Sequence, residues 1–243
     1  MSTQTLASEH CYCIDAYTGI DAQARRMPFQ KKFGGDVFQH RYYPELNMFA
    51  GFKFNDYVGL EAGYEFSKHQ KKTKKVLPGE IVFGVPIPSL DLRFNNVTNT
   101  TRTCSKINGF NINLMGFLPI FCEEYNTQLI GSVGAASLRL KTRNTVTEIG
   151  EQTMMLVNPV EIVPIQRILV NRTQYKKHKA TFRVSTGIQH ITMYCLGIRA
   201  LITWENTNKL STQGVDGATG RAMREQVKLK NSLIYKLGTF IPF

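Results

Sequence analysis

The sequence predicts an all-β chain of eight antiparallel strands closing up-and-down into a barrel, and three observations carry that expectation. Apolar and charged residues alternate with period two through most of the chain. The segments between the alternating runs are short and long by turns. No apolar run approaches the roughly 20 residues a membrane helix needs, although 42% of the 243 residues are hydrophobic and mean hydropathy is -0.21.

In the first run Ile14, Ala16, Thr18, Ile20, Ala22 and Ala24 alternate with Cys13, Asp15, Tyr17, Asp21, Gln23 and Arg25. The second places Leu46, Met48, Ala50, Phe52 and Phe54 opposite Glu45, Asn47, Gly51 and Lys53. Asn55 and Asp56 then make a tight turn, since both side chains bond readily to nearby backbone. In the third run Val58, Leu60, Ala62, Tyr64 and Phe66 face away from Gly59, Glu61, Gly63, Glu65 and Ser67. Residues 107–118 and 127–140 read as a hairpin around 119–125, and 181–190 with 194–205 as another. In that second hairpin Phe182, Val184, Ile188, Leu196, Ile198, Ile202 and Trp204 share the apolar face. The fourth strand has no cleanly polar face: Asn111, Asn113, Met115 and Phe117 oppose Phe110, Ile112, Leu114 and Gly116, which points to a bulge or shifted register. Residues 227–243 form the eighth strand.

The connections after strands two, four and six run to a few residues, whereas those after one, three, five and seven span 26–43, 68–105, 141–179 and 206–226. Tight periplasmic turns at one rim and long extracellular loops at the other are the layout of a transmembrane β-barrel. The face away from the apolar one carries Asp15, Asp21, Lys53, Glu61, Glu65, Arg183, Arg199 and Glu205. A soluble barrel of this size turns its apolar face inward, and eight strands enclose only what side chains can fill. The charged set must therefore pair with itself inside, which is costly unless satisfied, while the apolar set meets lipid. Residues 1–10 read as an N-terminal tail and 11–243 as a single barrel domain.

The C-terminus repeats the theme. Phe243, Ile241, Leu237, Tyr235 and Leu233 lie on one face, and Lys236, Lys230 and Lys228 on the other, with Gly238 between. A strand that carries Gly238, Ile241 and a terminal Phe243 resembles the signal by which the outer-membrane insertion machinery recognises its β-barrel clients. At the other end, residues 1–10 have neither the charged nor the apolar region of a signal peptide. A processed chain begun by an added Met and a chain that is not exported are the two readings this leaves.

Residues 50–64, Ala-Gly-Phe-Lys-Phe-Asn-Asp-Tyr-Val-Gly-Leu-Glu-Ala-Gly-Tyr, closely resemble the second hairpin of the outer membrane protein A transmembrane barrel. The similarity extends to 107–120, 187–204 and the C-terminus, covering strands and not loops, so it concerns the barrel domain only. The resemblance implies an eight-stranded barrel in the outer membrane. It also implies a lumenal ion pair between Glu61 and Arg199, the positions that match the family's glutamate and arginine. The family's exchangeable lysine falls near Leu114 and its second glutamate on Gln189, so the match implies one ion pair without the partners for switching it.

A net charge of +12 suits phosphate-rich partners. Basic residues gather at Arg25, Arg26, Lys31 and Lys32, at Lys68, Lys71, Lys72, Lys74 and Lys75, and at Arg172, Lys176, Lys177 and Lys179. In extracellular loops the Lys68–Lys75 and Lys176–Lys179 groups would meet anionic lipopolysaccharide. A merely solvated loop is the competing reading, because exposed charge contributes little. Nucleic acid is not expected, since the patches lack interleaved aromatics for stacking bases. The apolar stretch 154–165 reads as a hairpin extension, being rich in β-branched residues.

Cys11, Cys13, Cys104, Cys122 and Cys195 form no CxxC pair, and His10 beside Cys11 and Cys13 lacks a second ligand pair, so no metal and no cofactor are expected. None of His10, His40, His69, His178 and His190 has Ser two residues on, as a barrel deacylase of the nucleophile–base kind would need. The expectation is a monomeric, non-enzymatic outer-membrane barrel with a filled lumen. Its partners are outer-membrane lipid, the insertion machinery and host surface molecules, in a structural, adhesive or host-defence role. A small channel, a lipid-modifying enzyme and a soluble ligand-binding barrel are the alternatives.

Overall fold

Alternation resolves into eight strands: β1 (Ala16–Arg26), β2 (Tyr42–Lys53), β3 (Val58–Ser67), β4 (Phe94–Pro119), β5 (Thr127–Met154), β6 (Asn171–Ile191), β7 (Gly197–Glu205) and β8 (Ser232–Pro242). The structure, a computed structural model, describes residues 16–29, 41–76, 81–82, 85–86, 94–120, 126–154, 161–165, 171–192, 194–207, 210–215 and 222–243. Each strand pairs antiparallel with its sequence neighbours, and β1 pairs with β8 from Tyr17↔Pro242 to Arg26↔Leu233. The ring is closed, so where the eight strands overlap none of them presents a free edge among the described residues.

The alternation sorts side chains as the sequence implies. In β7 every second residue is buried, with Gly197, Arg199, Leu201, Thr203 and Glu205 turned inward. Between them Ile198, Ile202 and Trp204 stand exposed, as do Leu46 and Met48 on β2, Phe110 and Leu114 on β4, and Leu237 on β8. A large apolar side chain left in water forgoes about 1.5–3 kcal/mol. An exterior built this way around a charged interior is stable only against lipid.

At one rim the connections are tight. Asn55 Oδ1 accepts from the backbone N–H of Tyr57 at 2.9 Å and of Val58 at 2.8 Å, so the side chain closes the turn between β2 and β3. The β6–β7 turn places Cys195 at φ 55°, with its N–H donating to Thr192 O at 3.1 Å.

Several sequence expectations change. Residues 10–15, with His10, Cys11 and Cys13, lie outside the described residues, as does the tail 1–10. The fourth strand has no bulge between residues 99 and 119; its register with β5 is continuous there. Strands four, five and six are much longer than read, because polar, Thr-rich segments taken for loops keep pairing above the apolar band. Gln70–Val76, also read as loop, is a strand paired with 99–105 of β4. Of the apolar stretch, Met154 and Glu161–Ile165 lie in an antiparallel pairing of Gly150–Met154 with Glu161–Ile165, while 155–160 lie outside the described residues. The closing strand begins at Ser232, since Ala222–Lys228 turns away to pair with Ser211–Val215. Lys228 and Lys230 are therefore exposed outside the lumen, and only Lys236 of that predicted row points in.

Candidate functional site: a lumen of charge between two apolar plugs

The inward positions of the strands divide the lumen into layers. Nearest the tight turns, Tyr17, Phe49, Met115, Phe117, Ile130, Leu201 and Phe240 pack together, with Ile191 against them. At the other end Met27, Phe29, Tyr43, Ile107, Leu138, Leu140, Leu210 and Leu229 form a second cluster. Met115 and Phe117 on inward positions are what blurred the fourth strand's pattern: they belong to a plug and not to a bulge.

Two tiers of charge lie between the plugs. In the lower, Arg199 Nε and Nη2 donate to Asp21 at 2.8 and 2.7 Å, and Nη1 donates to Glu61 Oε2. The guanidinium carbon sits 3.4 Å from the centroid of the Phe49 ring, so the cation is held by charge on its edges and by a π face on its flat side. The Tyr17 hydroxyl donates to Glu61 at 3.4 Å and Asn47 to Asp21 at 3.0 Å. From Asn47 a chain of amides continues, with Asn111 donating to Asn47 and Asn113 to Asn111, each at 3.1 Å.

The upper tier is a ring of four charged side chains with a fifth, Glu45, attached to it. Arg25 Nε donates to Glu45 at 3.0 Å, its Nη2 to Glu65 at 2.6 Å and its Nη1 to Glu205. Arg183 completes the circle, giving two bonds to Glu65 at 2.7 Å and one to Glu205 at 2.6 Å. Thr181 donates to Glu205 at 3.1 Å. Lys236 approaches Glu65 at 3.8 Å. All of these side chains are essentially sealed from solvent. Buried charge is tolerable here because each guanidinium fork meets carboxylate oxygens directly, the geometry that repays desolvation best.

Glu61 and Arg199 thus lie against each other in the lumen, joined by Asp21, which the family match had not named. Leu114 faces outward and is half exposed, so the position matched to the family's lysine is not lumenal at all. A lysine is nonetheless inside, supplied by Lys236 of β8. Gln189 is buried and donates to Gln128 at 2.8 Å. Arg25, read as part of a basic loop, is fully buried. Its place was legible from the alternation of β1, which puts it on the face of Asp21 and Gln23.

The expected lysine groups divide. Lys68 is exposed beyond β3; on the Gln70–Val76 strand Lys71 and Lys75 are exposed while Lys72 and Lys74 are half-buried. On β6 Lys176 and Lys179 are exposed, and Lys177 donates to Ser211 at 2.6 Å. Gly238 faces the lumen, where a Cβ would collide with the Asp21 carboxylate. Ile241 and Phe243 are exposed on the outer side, and the Phe243 N–H donates to Ala16 O at 3.0 Å. Among the described residues neither Cys104 nor Cys195 is in a disulfide, and no cluster of metal-ligating side chains is found.

A closed eight-stranded up-and-down ring with an apolar exterior and a charged, plugged interior defines a transmembrane β-barrel. No family model and no curated protein sequence matches the chain. Among solved structures it is similar to neisserial surface protein A, at 11% identity over 94% of this chain and 97% of that one, with a TM-score of 0.48. Ail, the attachment invasion locus protein of Yersinia pestis, is similar at 10% identity over 95% and 99%, with a TM-score of 0.42. The N-terminal β-barrel domain of Pseudomonas aeruginosa OprF is similar at 9% identity over 95% and 98%, with a TM-score of 0.38. The class itself rests on the closed register and on which side chains face in.

Proposed function

We propose that this protein is a monomeric outer-membrane barrel that does not conduct and does not catalyse, and that works as a structural element and through its exterior surface. The observation that carries the reading is the pair of apolar clusters that close the lumen above and below its charged tiers. A hydrated pore needs a continuous polar path. Tyr17, Phe49, Phe117 and Phe240 stand across one end of it and Tyr43, Ile107 and Leu138 across the other. With the interior sealed, contacts with lipid, lipopolysaccharide or host surfaces fall to the outer wall and to the basic segments, as in adhesion or resistance to host defences. Gly238, Ile241 and Phe243 are assigned to recognition by the insertion machinery.

Two measurements test this. The purified protein should hold its fold only in detergent or lipid and migrate differently on a gel when unheated, as closed barrels do. In a planar bilayer the refolded protein should show little or no conductance. A chain that is folded and monomeric without detergent would remove the membrane reading. Stable, large channels would replace the plugged lumen with a pore.

A further inference from the structure

On the outer wall, β4, β5 and β6 bring three lysines side by side. Lys106 is paired with Lys141, and Lys141 with Lys176, so the three stand in one cross-strand row. All three occupy outward positions. One step toward the tight turns the next outward row is Asn108, Arg139 and His178, and the one after begins with Phe110, at the edge of the apolar band. Neighbouring strands are about 4.8 Å apart, and like charges directly opposite one another destabilise a sheet. The surrounding strand segments supply no counter-charge: residues 68–76, 102–110, 137–145 and 174–180 contain no Asp or Glu. Arg139, then Lys176 and Lys106, press the Lys141 ammonium below the ordinary lysine range.

A hollow of about 420 Å³ opens at the foot of this row, lined by Tyr64, Asn108, Phe110, Ser137, Arg139 and His178. Within it Arg139 Nε, a donor, and Asn108 Oδ1, an acceptor, are buried without hydrogen-bond partners among the described residues. Asn108 uses its amide N–H on the Tyr64 hydroxyl at 3.0 Å. The site thus offers cations for an anion, and one unused donor and one unused acceptor for a group that carries both.

Its height selects the source of that anion. A strand rises about 3.3 Å per residue and barrel strands tilt by about 40°. Arg139 and His178 therefore stand about 5 Å above the Phe110 row and the lysines about 10 Å above it. The headgroup layer is about 5–7 Å thick on each side of a bilayer, so the hollow lies within it and the lysine backbones stand a few ångströms beyond it, from where their long side chains can reach back.

We propose that this wall is a binding site for the phosphorylated sugar headgroup of a membrane glycolipid. The phosphate lies across Lys106, Lys141, Lys176 and Arg139, the sugar hydroxyls fill the hollow, and the acyl chains descend over Phe110 and Phe182. The inference rests on the reading of the chain as a membrane barrel and adds the place on the outer wall, and the residues, that take the glycolipid headgroup.

The test uses the full-length protein refolded into nanodiscs of phosphatidylcholine doped with bisphosphorylated lipid A, the same lipid without phosphates, or phosphatidylglycerol. Retained lipid is counted by native mass spectrometry. Bisphosphorylated lipid A should be enriched over both others. Combined Lys106→Gln, Lys141→Gln and Lys176→Gln should weaken retention on the order of a hundredfold, about fivefold for each lysine near an anionic surface, while Lys228→Gln with Lys230→Gln changes nothing. The triple variant should also be at least as heat-stable as the parent in zwitterionic detergent, where only repulsion is lost, and less stable than the parent in lipid A. Unchanged retention by the triple variant overturns the proposal. So does equal, equally sensitive retention of phosphatidylglycerol, which would mean charge without a sugar site. A heparin fragment that binds in a way the triple variant abolishes, with lipid retention intact, would make the wall a receptor for soluble polyanion. A chain that fails to enter nanodiscs as a protease-resistant barrel defeats the membrane reading itself, an outcome distinct from all of these.

Discussion

Replacing Arg199 by Met should destabilise the barrel more than removing either carboxylate it holds. Among the described residues Arg199 is the one cation in hydrogen-bond contact with both Asp21 and Glu61, and the two carboxyl groups are 0% and 2% exposed. Without it, Asp21 keeps the Asn47 amide at 3.0 Å and Glu61 keeps only the Tyr17 hydroxyl at 3.4 Å. Breaking a buried pair costs about 3–5 kcal/mol, and one cation serving two anions puts Arg199→Met at the upper end. Glu61→Gln is different, because the guanidinium retains Asp21 through bonds of 2.8 and 2.7 Å. Its cost should be that of one hydrogen bond to a charged group, about 1.5–3 kcal/mol. Combining Asp21→Asn, Glu61→Gln and Arg199→Met leaves no lone buried charge and should recover much of the loss, since neutral replacement of a whole buried cluster is often nearly neutral. Equilibrium unfolding by urea in lipid vesicles measures all three, with the single tryptophan, Trp204, exposed on the outer face as the reporter. If Arg199→Met costs no more than Glu61→Gln, Arg199 is not the shared partner described above, and the account of the lower tier fails.

Gly238→Val should cost about 1–3 kcal/mol by overpacking, because its side chain would enter the space of the Asp21 carboxylate, whereas Gly116→Ala, with no atom closer than 3.8 Å to its Cβ, should be nearly neutral in the same urea assay. Deleting Phe243 should lower the amount inserted in cells, scored by gel migration of unheated membranes, yet leave refolding of purified protein into detergent intact. Its exposed ring contributes at most part of the ~1.5–3 kcal/mol that full burial would supply, and normal cellular insertion of the truncated chain would refute its role in recognition.

Much of the fold was legible because a strand's two faces repeat every second residue. Residues such as Ile20, Leu60 and Ile202 needed only their parity to be placed outside, and Asp21, Glu61 and Arg199 theirs to be placed inside. The tight Asn55 turn was legible from the local chemistry of one side chain. The upper strands were not, since pairing above the apolar band is held by backbone bonds between polar segments that carry no apolar signal. Lys106, Lys141 and Lys176 are 35 residues apart each and share a row only because two registers align them.

The sequence by itself determined that the interior is charged and the exterior apolar, because parity is a local property of the extended chain. It also determined that the charges must pair, since nothing else inside an eight-stranded ring can satisfy them. Only the tertiary structure decided which carboxylate meets which guanidinium, that Lys236 supplies the lysine, and that apolar clusters lie at both ends of the charged tiers. Those outcomes depend on the stagger between strands distant in sequence. Stagger is set by closure of the whole ring, where a shift of two residues would preserve every inward and outward assignment and change every partner.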